Sequence, residues 1–282
     1  MFSKKVFKVF YFVADYNFGD MLNVWLLEAL FGIKTTWAPV ENCNALCVGS
    51  LLHNLPKPKL SLRRKISKFI KSPISVWGTG FINQSPSSYK TLLRKVKVYA
   101  VRGKITLDRL HEYKNVKFVH DVLGDPGLLA NRLIDVNKVE KKYKLGIIPH
   151  YVDKDNSLLK NIQVENSIMI DIQQKPEIVL KQIAECENII SSAMHGLIVA
   201  DSLGIPNVRM VVSGKLFGGD YKFRDYYSAF DMELPSAVVL SPETIIKDID
   251  FIKQQYQIKP QQVEQICQNL LRVFPCKKRI KK

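Results

Sequence analysis

No apolar run in this chain of 282 residues reaches the roughly 18 needed to cross a membrane, so the sequence offers no spanning helix. Residues 1–15 lack the clean apolar region and small-residue site of a signal peptide. Lysines interrupt the run, Asp15 breaks it, and it reads as a first β-strand. Cysteine is scarce and odd in number: Cys43, Cys47, Cys186, Cys267 and Cys276 form no CxxC pair, and no histidine stands at zinc-ligand spacing. This speaks against a disulfide framework and a metal site, and for packed thiols in a reducing cytoplasm. The GxxxxGK[ST] phosphate loop and the GxSxG nucleophile elbow are missing, and nothing completes a GxGxxG fingerprint after the glycines of 77–81 (WGTGF). There is no internal repeat and no low-complexity tract.

Positive charge is abundant. The formal net charge is +16, which suits nucleic acid, an anionic membrane surface or small anionic substrates. With no zinc finger, ribonucleoprotein signature or recognition helix, nucleic acid is set aside. The cations concentrate at 60–71 (LSLRRKISKFIK) and 277–282 (KKRIKK). Such clusters fit the anionic inner face of a bacterial membrane, and equally a solvated loop and a frayed terminus.

Short β-rich runs alternate with amphipathic segments, the pattern of a layered α/β fold with mostly parallel strands. Strands are expected at 6–14, 45–49, 75–78, 97–101 and 116–119, with helices at 21–31 and 104–113. A polar stretch at 131–144 reads as a linker. A second alternation follows, with strands at 144–148, 167–172, 188–191 and 207–212, helices at 176–187 and 194–203, and a final amphipathic helix at 242–256. The prediction is two Rossmann-like domains, 1–135 and 136–282, facing a cleft, as in many sugar transferases.

The most informative stretch is 190–206 (ISSAMHGLIVADSLGIP). A strand ends in Ser191 and Ser192, and His195-Gly196 falls in the first turn of a helix whose exposed amides favour an anion. Either serine can cap that helix, Gly196 allows a ligand close, and His195 can bind phosphate or exchange a proton. The plainer alternative, a packed histidine in an ordinary strand–helix turn, stays open. At 218–231 (GGDYKFRDYYSAFD), read as a loop, Lys222 and Arg224 suit carboxylate or phosphate and the tyrosines suit sugars. Asn17, Gly19 and Asp20 follow the first strand, where ligands collect in open sheets, although Asp20 can equally cap a helix. Gly78, Gly80 and Arg102 also end strands. Asp153-Lys154-Asp155 has the DxD spacing of a metal–nucleotide-sugar site, a short and weakly specific match.

In order and spacing these pieces resemble the polysaccharide pyruvyl transferase family, in particular its exopolysaccharide-pyruvylating branch. The matching residues are Asn17-Phe18-Gly19-Asp20, Trp77-Gly78-Thr79-Gly80, Val101-Arg102-Gly103, Gly124-Asp125-Pro126-Gly127, Ile148-Pro149-His150-Tyr151, Ser192-Ala193-Met194-His195-Gly196 and Lys222-Phe223-Arg224-Asp225-Tyr226-Tyr227. The resemblance implies a GT-B-like fold with the acceptor on the N-terminal side and phosphoenolpyruvate on the C-terminal side. It implies transfer of a pyruvate ketal to a hexose of an oligosaccharide or lipid-linked saccharide, with phosphoenolpyruvate as co-substrate and no cofactor or metal. His195 would exchange protons or bind phosphate, Asp20 would orient an acceptor hydroxyl, and Arg102, Lys222 and Arg224 would hold the donor. The chain departs from the family at two arginines, where it has Ala193 and the Pro149-His150-Tyr151 stretch, so His150 and Lys222 or Arg224 are the expected substitutes. A nucleotide-sugar glycosyltransferase on the same architecture is the alternative, and a non-catalytic polysaccharide or membrane binder the third reading.

Overall fold

The computed structural model describes residues 6–14, 16–55, 71–84 and 91–276. The basic tail at 277–282 and all of the 60–71 cluster except Lys71 lie outside the described residues. The first half runs β1 (Phe7–Val9), α1 (Phe18–Phe31), β2 (Thr35–Trp37), β3 (Ala45–Leu46), β4 (Ile74–Trp77), β5 (Val96–Val101), α2 (Lys104–His111) and β6 (Val116–Leu123). Its strands form one parallel sheet in the order β2-β1-β3-β4-β5-β6. The second half runs β7 (Tyr143–Ile148), β8 (Ser167–Met169), α3 (Pro176–Ala184), β9 (Cys186–Ser191), α4 (Met194–Ser202), β10 (Asn207–Val211), α5 (Tyr221–Ser228), β11 (Val238–Val239), α6 (Asp250–Gln255) and α7 (Pro260–Arg272). Its sheet, also parallel, has the order β11-β10-β9-β7-β8.

Both sheets are doubly wound. From its first strand each chain half steps one way, then returns and continues on the other side. The strand order therefore reverses between β1 and β3 in the first half and between β7 and β9 in the second. In open α/β sheets a crevice forms beyond the carboxyl ends of the strands at such a point. The loops leaving β1, β3, β7 and β9 all line one shared cavity.

Local chemistry explains the elements beside that cavity. Asn17 caps α1 by accepting the Asp20 amide at 3.1 Å, and Gly32 ends the helix at φ 61°, a left-handed position where glycine carries no Cβ penalty. The Phe18 amide donates to the Ile172 carbonyl of the second half (2.7 Å), tying the start of α1 across the cleft. Buried α4 packs on β9 and β7 so closely that a Cβ on Gly196 would come within 2.5 Å of Ser191 Oγ and 3.1 Å of Ile148. One apolar core runs through both halves, from Val9 and Leu22 through Leu128 and Leu129 to Ile198 and Ile266.

Two expectations are corrected. The 218–231 stretch is not a loop, because 221–228 forms α5, whose buried face carries Phe223, Tyr226 and Tyr227. The final helix expected at 242–256 shortens to α6. A longer one, α7, follows it and turns back onto the first half. The polar stretch at 131–144 runs from the end of a 3-10 turn, Pro126–Arg132, into β7, and none of its residues is buried.

Candidate active site

The cavity between the two carboxyl edges holds about 520 Å³ and is lined from both halves. The first half contributes Asn17, Gly19, Asp20, Gly49 and Ser50; the second contributes His150, Ala193, His195, Gly196 and Lys222. The cavity is unequally charged: Lys215 and buried Lys222 on the second wall face Asp20 on the first, and the rings of His53, His150 and His195 line the same space.

On the second wall, α4 begins at Ala193 with no side chain capping its first turn, so neither serine caps it directly. Ser191 Oγ instead accepts the Ala193 amide (3.0 Å), and Ser192 Oγ accepts the His150 amide (2.8 Å), holding the two loops together. The first-turn residues Met194, His195 and Gly196 line the cavity, and a helix start of this kind favours an anion. His195 is 18% exposed. Its Nδ1 lies over Gly19, where a Cβ would come within 2.1 Å, so glycine there is a requirement of the histidine. Burial, then Arg102 and Lys222, lowers the His195 pKa to about 3, so the ring by itself is neutral at pH 7. Lys222, 7% exposed, is lowered to about 8 by burial and by Arg102.

On the first wall, Asp20 Oδ1 accepts the Phe12 amide (3.1 Å) and Oδ2 accepts from Asn17 Nδ2. Asn17 and Asp20 therefore brace the loop after β1 as well as line the cavity.

Of the residues expected at the site, Asn17, Gly19, Asp20, His150, His195, Gly196 and Lys222 line the cavity together. Ser192, Gly78, Gly80 and Arg102 are buried and do not line it. Gly78 makes room for Pro126, and Gly80 makes room for the Arg102 guanidinium. Arg102 is fully buried and committed: Nε donates to Asp225 Oδ2 (2.8 Å), Nη1 to Ser50 Oγ (2.7 Å) and Nη2 to the Phe81 carbonyl (2.5 Å). It is thus the hub of a clamp between the halves, whereas a cation open to the cleft was expected. Arg224 is exposed and does not line the cavity, because α5 turns Lys222 and Asp225 inward and Arg224 outward. The Asp153-Lys154-Asp155 spacing serves structure, since Asp153 is buried and bonded to Ser213 Oγ.

Sequence reasoning gave no role to Asp125. It is fully buried, with Oδ1 accepting the Gly127 amide (2.9 Å) and Oδ2 lying 3.9 Å from His195 Nε2. The signal was present, because Gly124-Asp125-Pro126-Gly127 follows a strand end as the other motifs do.

Two doubly wound parallel sheets whose carboxyl edges share one cavity place the chain in the Rossmann-like class of α/β folds. The family model for polysaccharide pyruvyl transferase matches residues 3–214, and the chain belongs to that family. It is 34% identical over 236 residues to an uncharacterized protein of Acanthamoeba polyphaga mimivirus, covering 82% of this chain and 76% of that one. To the succinoglycan biosynthesis protein ExoV of Rhizobium meliloti it is 24% identical over 268 residues, covering 91% and 76%. A solved structure of a functionally uncharacterized Klebsiella pneumoniae protein aligns with a TM-score of 0.47 at 14% identity, covering 84% of this chain and 93% of that one.

Proposed function

We propose that the enzyme transfers a pyruvyl group from phosphoenolpyruvate to two hydroxyls of one hexose in a polysaccharide precursor, closing a ketal. The observation that carries this reading is the cavity's pairing of an uncapped helix start, His195 and buried Lys222 on one wall with Asp20 on the other. A doubly anionic donor needs cations and helix amides, and the acceptor hydroxyls need a hydrogen-bond acceptor. A proton added to the donor's methylene carbon leaves an oxocarbenium-like centre. One hydroxyl attacks it, and the second then displaces phosphate. In this reading His195 exchanges that proton and Lys222 offsets the phosphate charge, and both line the one cavity. The facing carboxyl edges support a GT-B-like arrangement, with the acceptor held by the first half and the donor by the second.

Incubation with phosphoenolpyruvate and a synthetic or lipid-linked oligosaccharide tests this. Phosphate release together with a mass gain of one pyruvate less one water is the expected result. Turnover with a nucleotide sugar alone would assign the cavity to glycosyl transfer instead.

We further propose a cytoplasmic enzyme held at an anionic membrane face by the basic stretches at 60–71 and 277–282. Among the described residues no helix is long and apolar enough to cross a membrane. Binding to anionic vesicles should fall steeply with added salt, and equal binding to neutral vesicles would reject the proposal.

A further inference from the structure

Two of the polar atoms buried without a hydrogen-bond partner face each other: Asp125 Oδ2 and His195 Nε2, 3.9 Å apart. Both ends of this pair are held. Asp125 Oδ1 is fixed by the Gly127 amide at the turn after β6, and His195 is set by α4 with its Nδ1 over Gly19 at the cavity. The ring therefore sets Nδ1 against Gly19 on the cavity wall and turns Nε2 toward the one Asp125 oxygen left without a hydrogen-bond partner. At 3.9 Å they stand about 1 Å beyond hydrogen-bond contact.

We propose that Asp125 is a positioning residue that works through His195, the two sharing protons so that His195 Nδ1 alternates between donor and acceptor. The inference rests on the phosphoenolpyruvate reading above. Below the titration of the pair, Asp125 carries a proton directed at Nε2, and Nδ1 carries the other. The Nδ1 proton passes to the methylene carbon, whose π electrons form the new C–H bond, while the Asp125 proton moves to Nε2. The attacking hydroxyl then loses its proton to Nδ1, and the Nε2 proton returns to Asp125. The second hydroxyl's proton leaves with phosphate, so the pair ends as it began.

The surroundings favour this exchange. Burial raises the Asp125 pKa to about 7, against the Gly127 and Gly49 amides and Arg102, while a lone His195 cannot become cationic near neutrality. The charged groups facing the pair are Arg102 at the end of β5 and Lys222 and Asp225 on α5. Cys47, beside β3, is raised too far to ionise.

The test is an imidazole ¹⁵N titration of the full chain between about pH 5 and 9, with His195→Gln assigning the signals. In the wild type the His195 ring should switch from the Nδ1–H to the Nε2–H tautomer near pH 7. In Asp125→Asn, which retains the acceptor for Gly127, the ring should hold one tautomer throughout. Its kcat should fall by about 100-fold and lose the pH dependence of that step. A wild-type ring that keeps one tautomer across the range overturns the proposal, as does an Asp125→Asn enzyme with the wild-type pH profile. If Asp125→Asn does not fold, the wild-type titration decides alone. Absence of turnover with phosphoenolpyruvate would sink the donor reading, while the titration would still judge the pair.

Discussion

At the scale of single residues, α5 makes Lys222 and Arg224 opposites although they stand two positions apart. On a helix such a spacing turns side chains to different faces. Lys222 enters the cavity and is almost fully buried; Arg224 stays in solvent. A charge-assisted contact to carboxylate or phosphate is worth about 1.5–3 kcal/mol, roughly 10- to 150-fold in affinity. Lys222→Ala should raise the KM for phosphoenolpyruvate by that factor, whereas Arg224→Ala should leave it near the wild-type value. Steady-state kinetics on both variants separates the two positions. The lowered Lys222 pKa adds a signature: the ammonium is charged below about pH 8 and loses its proton above, so donor KM should climb as pH passes that point. Lys222→Arg, charged throughout, should flatten the climb. A pH-independent donor KM in the wild type would remove Lys222 from the donor site.

At the scale of elements, two of the matched motifs meet as a clamp. The N-terminus of α2 docks on α5: Asp225 accepts from Arg102, from the Thr106 amide (2.8 Å) and from the Thr106 hydroxyl (2.7 Å), while the Lys104 amide donates to Ser228 Oγ (2.8 Å). A Cβ on Gly103 would fall 1.6 Å from the Asp225 carbonyl oxygen, so only glycine lets the elements approach. Removing one partner of such a buried ion pair costs about 3–5 kcal/mol, because the other charge is stranded. Arg102→Leu should therefore lower Tm sharply, and Asp225→Leu added to it should cost little more or recover part of the loss. Thermal melts of the singles and the double check this. Gly103→Ala should push α5 outward and raise donor KM more than acceptor KM, because Lys222 rides on that helix. The strand ends, the histidine turn and the cavity-lining loops were legible in sequence because each is a local pattern of apolar run, glycine and polar residue. The roles of Arg102 and Asp225 were not, since the two pair with each other across 123 positions of sequence. For the same reason α5 read as a loop: its aspartate is paired by Arg102 and Thr106 of the first half, and its lysine turns into the cavity.

At the scale of the whole molecule, α7 decides whether the halves behave as two bodies or one. No helix was expected at 260–272, although Pro260 in the first turn and Val263, Ile266, Cys267 and Leu270 on one face are its local signs. Its destination has no local sign, since nothing nearby in sequence says that this face belongs to the first half. There, Trp77 Nε1 donates to the Leu270 carbonyl (2.9 Å), Phe274 stacks on Phe31 with centroids 3.7 Å apart, and Cys267 Sγ donates to the Leu128 carbonyl (3.3 Å). Leu128 belongs to the turn that packs on α4 of the second half, so α7, that turn and α4 form one apolar layer under the cavity. A layer shared in this way couples the halves, and heat should unfold them together in one transition. Leu270→Ala, which deletes a fully buried side chain, should cost about 2–5 kcal/mol. Because the layer is common, that loss should move the whole transition to lower temperature without splitting it. Calorimetry with the calorimetric and van't Hoff enthalpies compared measures this directly. Two transitions, only one of them shifted by Leu270→Ala, would mean that the halves fold independently and that α7 stabilises the first alone.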